Sequence, residues 1–208
     1  MLLKIMTVHQ KPTTFNSKVI FISQYIGAHI FRIYMRLSGG YTVTNKVQFS
    51  NDKTYFFIAN HQSRIDPFVT LACLPQKTIN TILPIRFMTA RGIYYSFLYP
   101  ILKILGCFPT RKKGIDVIQR SNDYLNAGYC IYIFPEGRRV LQANSDPRAG
   151  VERILASISP IIQPVLVHIE WSSGSRLKRH FSVSMKEVNL SEISELSAKD
   201  IMHMVYEV

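Results

Sequence analysis

A histidine and an aspartate five residues apart, His61 and Asp66, form the pair in this sequence whose spacing best suits acid–base chemistry. A carboxylate on one ring nitrogen of an imidazole fixes its tautomer and leaves the other nitrogen to accept a proton from a hydroxyl. The pair therefore predicts a general base with an orienting carboxylate. The alternative is that Asp66 caps the next helix and that His61 is an ordinary loop residue.

The residues just before this pair predict the element that would hold it in place. Residues 55–59 are an aromatic and aliphatic run with the length of a buried strand, and a short turn through residues 62–64 would return Asp66 to the imidazole. In open α/β sheets, functional groups gather where loops leave the strand ends. The sequence therefore predicts that His61 lies at such an edge.

Three further patches follow predicted strands, at residues 106–112, 134–137 and 163–165. Arg111 and Lys112 in the first suit a phosphate oxyanion, because a guanidinium fork matches its oxygens; the alternative is a solvated basic run. Glu136, between a proline and a glycine, suits a carboxylate that accepts hydrogen bonds from substrate hydroxyls, or else belongs to a plain turn.

Strand-like and helix-like segments alternate along the chain, which predicts an α/β fold with a single domain and one central mixed sheet flanked by helices. Strands are expected at residues 43–49, 54–59, 81–89, 129–134, 161–170 and 180–188, with Pro164 interrupting the fifth. Helices are expected at residues 67–74, 115–126, 150–157 and 197–206.

Two long apolar segments are harder to assign. Residues 14–37 contain no charge-free window long enough to span a bilayer, so an amphipathic interfacial helix or helix pair is expected, ended by Gly39. We therefore divide the chain into a membrane-associating helical segment, 1–40, and an α/β domain, 41–208. The alternative is a helix packed on the domain's own core. Residues 93–105 predict either a buried helix or a second membrane-contacting surface.

Composition and charge narrow the class of partner. The chain has 208 residues, 47% hydrophobic and 18% charged, which fits one globular domain. The net charge is +12, and residues 1–115 alone carry 15 Lys and Arg with two acids, a net charge of +13. This asymmetry favours a polyanionic partner: nucleic acid, an anionic membrane surface, or a phosphorylated or acidic carrier. Three scattered cysteines indicate neither a disulfide framework nor a zinc site, and no signal peptide is evident.

Together the patches resemble the four sequence blocks of the glycerolipid acyltransferase superfamily, and in particular the bacterial 1-acylglycerol-3-phosphate acyltransferases. The first block is NHQSRID at residues 60–66, the second GCFPTRK at 106–112, and the third FPEG at 134–137 with Arg148-x-Gly150 downstream. The fourth is Gln163-Pro164-Val165. The blocks occur in the family's order between about residues 55 and 170.

The resemblance implies transfer of a fatty acyl group from acyl-CoA or acyl carrier protein to a lysophospholipid hydroxyl, without a metal or another cofactor. His61 would take the proton of the acceptor hydroxyl, and Asp66 would orient the imidazole of His61. Arg111 would hold the acceptor phosphate. Substrate contacts are expected from Asn60, Phe108, Arg111, Lys112, Phe134, Pro135, Glu136, Gly137 and Pro164. An anionic membrane surface is the expected partner, at the cytoplasmic face of the inner membrane, and no nucleic acid is expected.

Two departures from the family pattern concern the acceptor. Arg138 stands where the family usually has Thr or Ser, and the second block is one residue shorter than in many relatives. The same chemistry on a lyso-aminolipid is therefore kept as an alternative. Two others are an acyl-enzyme formed on Cys107 and a non-catalytic module that binds anionic lipid or nucleic acid.

Overall fold

The computed structural model describes residues 14–110, 116–139, 147–148, 150–172 and 179–208. Its strands are β1 (Tyr41–Asn45), β2 (Thr54–Ala59), β3 (Ile85–Thr89), β4 (Cys107–Pro109), β5 (Cys130–Ile133), β6 (Ile162–Trp171) and β7 (Phe181–Glu187). Its helices are α1 (Phe15–Ser38), α2 (Asp66–Cys73), α3 (Gln76–Ile82), α4 (Arg91–Tyr94), α5 (Tyr99–Ile104), α6 (Val117–Asn126), α7 (Val151–Leu155), α8 (Leu190–Ile193) and α9 (Ala198–Tyr206).

The strands form one sheet in the order β1-β7-β6-β2-β5-β3-β4. The strands from β6 to β4 run parallel, whereas β7 is antiparallel to β6 and is followed by a parallel β1. β2 is central, and all six of its residues are buried because helices cover both faces of the sheet. The predicted α/β fold with one mixed sheet is confirmed.

Each face of the sheet has its own core. One core joins α1 and α2 to side chains of the sheet such as Phe57, Phe181 and Met185. The other joins α6, α7, α8 and α9 to Phe56, Leu166 and their neighbours. The result is a three-layer arrangement in which α1 belongs to one of the two helical layers.

α1 is a single helix with two different faces. Thr14 caps its start by accepting from the Ser17 amide at 3.2 Å, and Gly39, at a φ of 146°, ends it as predicted. On the inner face, the buried Gln24 amide donates to the carbonyls of Ile85 (2.6 Å) and Leu105 (2.8 Å), which ties α1 to β3 and to the end of α5.

The outer face of α1 is apolar and exposed. It presents Phe15, Ile22, Ile26, Ile30, Ile33 and Leu37, the last with 82% of its surface accessible. α4 and α5 bury no residue and add Ile93, Tyr95, Phe97, Ile101 and Ile104, with Phe97 90% exposed. We call these two sets together the apolar face. The expected alternative of a buried helix at 93–105 is wrong. No helix in the described part of the chain has the length and apolarity to cross a membrane.

Three strand predictions need correction. Residues 76–82 form α3, so the strand predicted at 81–89 begins only at Ile85. The strand predicted at 43–49 is β1, Tyr41–Asn45. Pro164 does not interrupt β6, which runs through it opposite Phe56 of β2.

Candidate active site

The carboxyl ends of four parallel strands meet at one edge of the sheet and bring the first three sequence patches together there. β2 leads into His61, and β5 leads into residues 134–137. At the ends of β3 and β4, the Thr110 amide donates to the carbonyl of Thr89 at 2.9 Å. Arg111 and Lys112, the predicted phosphate contacts, follow directly in sequence but lie outside the described residues.

Asp66 is fully buried in the first turn of α2 and points back at the loop before it. Its Oδ2 lies 3.0 Å from Nδ1 of His61 and accepts from the amides of Gln62 (2.8 Å) and Ser63 (2.7 Å). Asp66 is not the cap of α2. The capping residue is Ile65, and the helix has no side-chain cap hydrogen bond. The three donors and the positive end of the α2 dipole stabilise the carboxylate where it holds the imidazole.

The imidazole of His61 is also fixed by stacking. Its ring lies 4.1 Å from the Phe134 ring, centroid to centroid, with 25° between the planes. The side chain of His61 is 19% exposed. Nδ1 donates to the Asp66 carboxylate, and no group in the described ranges bonds Nε2. Nε2 therefore carries the lone pair that can accept a proton.

Glu136 contacts the backbone of His61 rather than its imidazole. Only 3% of the residue is exposed, and its Oε2 accepts from the backbone N–H of His61 at 2.8 Å. Its Oε1 accepts from the hydroxyl of Tyr206, the last residue of α9, at 2.5 Å. Burial, and then the bond to Glu136, raise the pKa of Tyr206, so that its hydroxyl stays protonated and remains a donor. The sequence analysis missed Tyr206, which no motif marks.

Gly137 closes the turn after β5, and the basic side chain of Arg148 packs against it. Its amide donates to the Phe134 carbonyl at 3.0 Å, and its φ is +61°. A Cβ on Gly137 would lie 2.6 Å from Nε of Arg148. The Arg148 amide in turn donates to the Pro135 carbonyl at 2.8 Å. Arg148 therefore lies against the turn that carries Glu136.

Three predicted substrate contacts have other surroundings in the structure. Asn60 is buried, and its amide group exchanges hydrogen bonds of 2.8 and 2.7 Å with the backbone of Ile169. Phe108 is buried against the ring of Tyr124. Pro164 is level with Phe56, five residues before His61, or about 16 Å back along the sheet. It lies near the start of β6, where a residue without an N–H costs least, and the patch at 163–165 therefore lies away from the His61 edge.

A family model described as "Acyltransferase" matches residues 40–168, more than half of the chain. The chain belongs to the acyltransferase family. The matched segment includes every predicted site residue and stops before α9.

Distant relatives of this family member have been described. It is 18% identical over 162 residues to a probable 1-acyl-sn-glycerol-3-phosphate acyltransferase of Mycoplasma pneumoniae. The aligned part covers 68% of this chain and 60% of the relative. It is 22% identical over 156 residues to a protein of the same description from Mycoplasma genitalium, which covers 71% and 58%. The chain thus spans about three fifths of the length of these curated relatives.

The family member also shares its fold with a solved structure. The 1-acyl-sn-glycerophosphate (LPA) acyltransferase PlsC of Thermotoga maritima superposes with a TM-score of 0.64 and 14% identity over 94% of this chain and 80% of that protein. At this identity the likeness supports the fold.

Cys107, the alternative nucleophile, has the surroundings of a core thiol. It opens β4, and burial raises the pKa of its thiol to about 11. Since the thiolate is the reactive form, such a thiol is a poor nucleophile near neutral pH. Among the described residues, no group of three or more His, Cys, Asp and Glu side chains could hold a metal ion.

An open cleft of about 360 Å³ adjoins the His61 loop, between the end of β6 and the start of β7. It is lined by Gln62, Glu170, Trp171, Ser172, His180 and Ser182. The side chain of Glu170 is 65% exposed, and its Oε1 lies 3.8 Å from Nε2 of His168. The sequence patches did not predict this cleft.

Proposed function

We propose that this protein transfers a fatty acyl group from an acyl thioester to the free hydroxyl of a lysophospholipid, with 1-acylglycerol-3-phosphate as the first choice of acceptor. The observation that carries the proposal is the buried Asp66 carboxylate 3.0 Å from Nδ1 of His61, in a member of the acyltransferase family. This pair leaves Nε2 as the proton acceptor at an open edge of the sheet.

The reaction follows from this geometry. Nε2 of His61 takes the proton of the acceptor hydroxyl as its oxygen attacks the thioester carbonyl carbon, and Asp66 stabilises the imidazolium that forms. The tetrahedral intermediate then collapses, the carbon–sulfur bond breaks, and the leaving sulfur takes the proton from the imidazolium. One ester replaces one thioester, and His61 returns to its neutral form.

The surroundings of two of the three cysteines, Cys107 and Cys73, support transfer without an acyl-enzyme. Burial raises the pKa of the Cys107 thiol to about 11 and that of the Cys73 thiol to about 12, so both are protonated near neutral pH. Direct attack by the acceptor oxygen needs only the base. Either acyl-CoA or acyl carrier protein would serve as the donor, and both are anionic partners for the basic half of the chain.

A phosphate on the acceptor is favoured by Arg148, which lies against Gly137 in the turn after β5. Arg111 and Lys112, which directly follow Thr110 in sequence, are two further basic residues of the predicted site. Arginine forms paired hydrogen bonds to phosphate oxygens, which would orient the acceptor as well as bind it. The curated relatives, described as probable 1-acyl-sn-glycerol-3-phosphate acyltransferases, support the same choice.

A second acceptor class is favoured by one observation. The cleft beside Gln62 contains the accessible carboxylate of Glu170, which suits the ammonium group of an aminolipid headgroup better than a phosphate. A lyso-aminolipid would then undergo the same acyl transfer at His61.

Lipid substrates also require a way to reach the site, and we propose that the apolar face docks on an anionic membrane as a peripheral or monotopic contact at the cytoplasmic side. An apolar patch of this extent on a protein surface marks an interaction site. Lys18, Arg36, Lys103 and Arg91 lie on the helices that form it and would attract anionic headgroups.

A panel of acceptors tests the proposal. Purified protein is incubated with a labelled acyl donor, either acyl-CoA or acyl carrier protein. Separate reactions contain lysophosphatidic acid, lysophosphatidylethanolamine, an amino-acid-headed lysolipid or no acceptor. Labelled phosphatidic acid as the main product supports the first choice, and preference for an amine-bearing acceptor supports the second. No acyl transfer to any acceptor, from acyl-CoA or acyl carrier protein, would reject the proposed function.

A further inference from the structure

The hydrogen bonds beneath His61 extend to the last helix of the described chain. Tyr206 ends α9 and lies 70 residues from Glu136 in sequence, yet its hydroxyl donates to Oε1 of Glu136 at 2.5 Å. The other oxygen of the same carboxylate holds the backbone N–H of His61 at 2.8 Å. α9 is therefore connected to the proposed base through a single carboxylate.

α9 is built to present this hydroxyl from a fixed position. Ser197 caps the helix by accepting from the amide of Asp200, and the first helical amide, of Ala198, donates to Oε2 of Glu152 at 2.8 Å. The inner side of the helix is buried in the core on that face of the sheet, through Ala198, Ile201, Met202 and Val205. The ring of Tyr206 rests against His168 of β6, with centroids 5.3 Å apart.

The Tyr206 hydroxyl keeps its proton near neutral pH and therefore remains a hydrogen-bond donor, because its pKa is raised. Burial raises its pKa first, and the Glu136 carboxylate raises it further, so the proton stays on the oxygen in the neutral range. A hydrogen bond from a neutral hydroxyl to a buried carboxylate is charge-assisted and directional. Such a bond fixes where the carboxylate lies, and thereby where the N–H of His61 lies.

We propose that Tyr206 is a positioning residue for acyl transfer. It holds the Glu136 carboxylate under the backbone of His61, so that Nε2 stays at the distance and angle that proton transfer requires. A small displacement of a catalytic group lowers the rate steeply while substrate binding survives. The inference rests on the proposed function, and it extends the functional part of the chain beyond residues 40–168, where the family match ends.

The test removes one oxygen atom with Tyr206→Phe. We expect kcat to fall by about tenfold, as for loss of a hydrogen bond to a charged group, and the KM for the acceptor to stay within about twofold. The matched control is Tyr55→Phe. The Tyr55 hydroxyl accepts from the Ser50 amide at 2.7 Å, near the start of β2 and away from the His61 edge. This control loses a similar bond but should keep the wild-type kcat.

A double-mutant cycle separates positioning from general loosening of the fold. Glu136→Ala should lower kcat by itself, and adding Tyr206→Phe should then cost at most about a further twofold, because alanine offers the Tyr206 hydroxyl no acceptor. The same second substitution on the Tyr55→Phe background should cost the full tenfold.

The outcomes are distinct. An active wild type together with a Tyr206→Phe enzyme of unchanged kcat would overturn this inference and leave the proposed function intact. A Tyr206→Phe protein that no longer unfolds cooperatively, where Tyr55→Phe does, would make Tyr206 a folding element and would equally overturn it. A wild type inactive on every acceptor would reject the proposed function itself.

Discussion

The carboxyl edge of the sheet and the apolar face treat their side chains in opposite ways. At the edge, polar groups are buried and bonded: Asp66 accepts three hydrogen bonds, and Glu136 accepts from His61 and Tyr206. On the apolar face, isoleucines, aromatic rings and one leucine are exposed to solvent, with Leu37 at 82% and Phe97 at 90%.

Globular proteins usually expose ionisable side chains and bury apolar ones, and each of these regions does the opposite. A buried carboxylate is costly unless it is hydrogen-bonded, so the bonds to Oδ2 of Asp66 and to both oxygens of Glu136 hold these groups in a fixed geometry, while Oδ1 of Asp66 has no partner among the described residues. A large exposed apolar patch is costly in water, and that cost disappears when lipid covers it. The edge is suited to chemistry and the apolar face to binding, and changes in one should leave the other intact.

The strongest test of this separation is His61→Ala. It should lower kcat by about 10³-fold or more, because the acceptor hydroxyl loses its proton acceptor, and Asp66→Asn should cost nearly as much through loss of tautomer control. Both variants should bind anionic vesicles like the wild type in sedimentation assays. A His61→Ala enzyme with more than about a tenth of wild-type turnover would disprove the assignment of the base.

Next in size is the effect of Arg111→Ala, which concerns the acceptor. It should lower kcat/KM for lysophosphatidic acid by about 10- to 150-fold, mainly through KM, since a charge-assisted contact is worth about 1.5–3 kcal/mol. The KM for the donor should change little, and Arg138→Thr should cost less. Arg120→Ala on α6 is the control for loss of charge alone. Unchanged kcat/KM for lysophosphatidic acid, with activity lost on an amine-bearing acceptor, would favour the second acceptor class.

A smaller effect, and on binding alone, is expected from Ile26→Glu combined with Ile30→Glu on the outer side of α1. Two exposed isoleucines that enter lipid contribute a few kcal/mol, so vesicle binding should weaken by about tenfold or more. The kcat for a dispersed short-chain acceptor should stay the same. Gln119→Glu, at an exposed position of α6, is the control. Equal sedimentation of all three proteins would show that the apolar face binds something other than a membrane.

The smallest effect is expected from Cys107→Ala. Its activity should remain within about twofold of the wild type, because a protonated, half-buried thiol takes no part in direct attack. Intact-mass measurement after incubation of the wild type with the donor alone should reveal no acyl adduct. A stoichiometric adduct on Cys107 would replace direct attack with an acyl-enzyme route.

Local sequence predicted the part of the site that is local in the chain. His61 and Asp66 are five residues apart and follow an apolar strand, so their contact follows from one short turn. FPEG identifies the turn at residues 134–137 in the same way. The bond between Tyr206 and Glu136 joins residues 70 positions apart, and nothing in the sequence around a tyrosine near a helix end announces its partner.

Misassigned elements have physical reasons of the same kind. β-Branched residues at 78–82 favour a strand, but Pro75 precedes a helical turn at α3, and a helix cannot continue through Pro84. Pro164 reads as a strand breaker because it lacks an N–H, yet near the start of β6 this costs little. For residues 93–105, composition could not distinguish burial in a core from exposure on the apolar face, because apolar residues serve both.

The short helix α2 gives the two regions a common rigid part. Its first residue is Asp66, and at its other end Arg32 of α1 donates to the carbonyls of Ala72, at 2.8 Å, and of Leu74. Its eight residues make a helix about 12 Å long. The Arg32 guanidinium is hydrogen-bonded at one end and the His61 imidazole at the other. The carboxylate that orients His61 is therefore held at a fixed distance from α1, so a substitution on the outer side of α1 that leaves the helix in place leaves the base aligned.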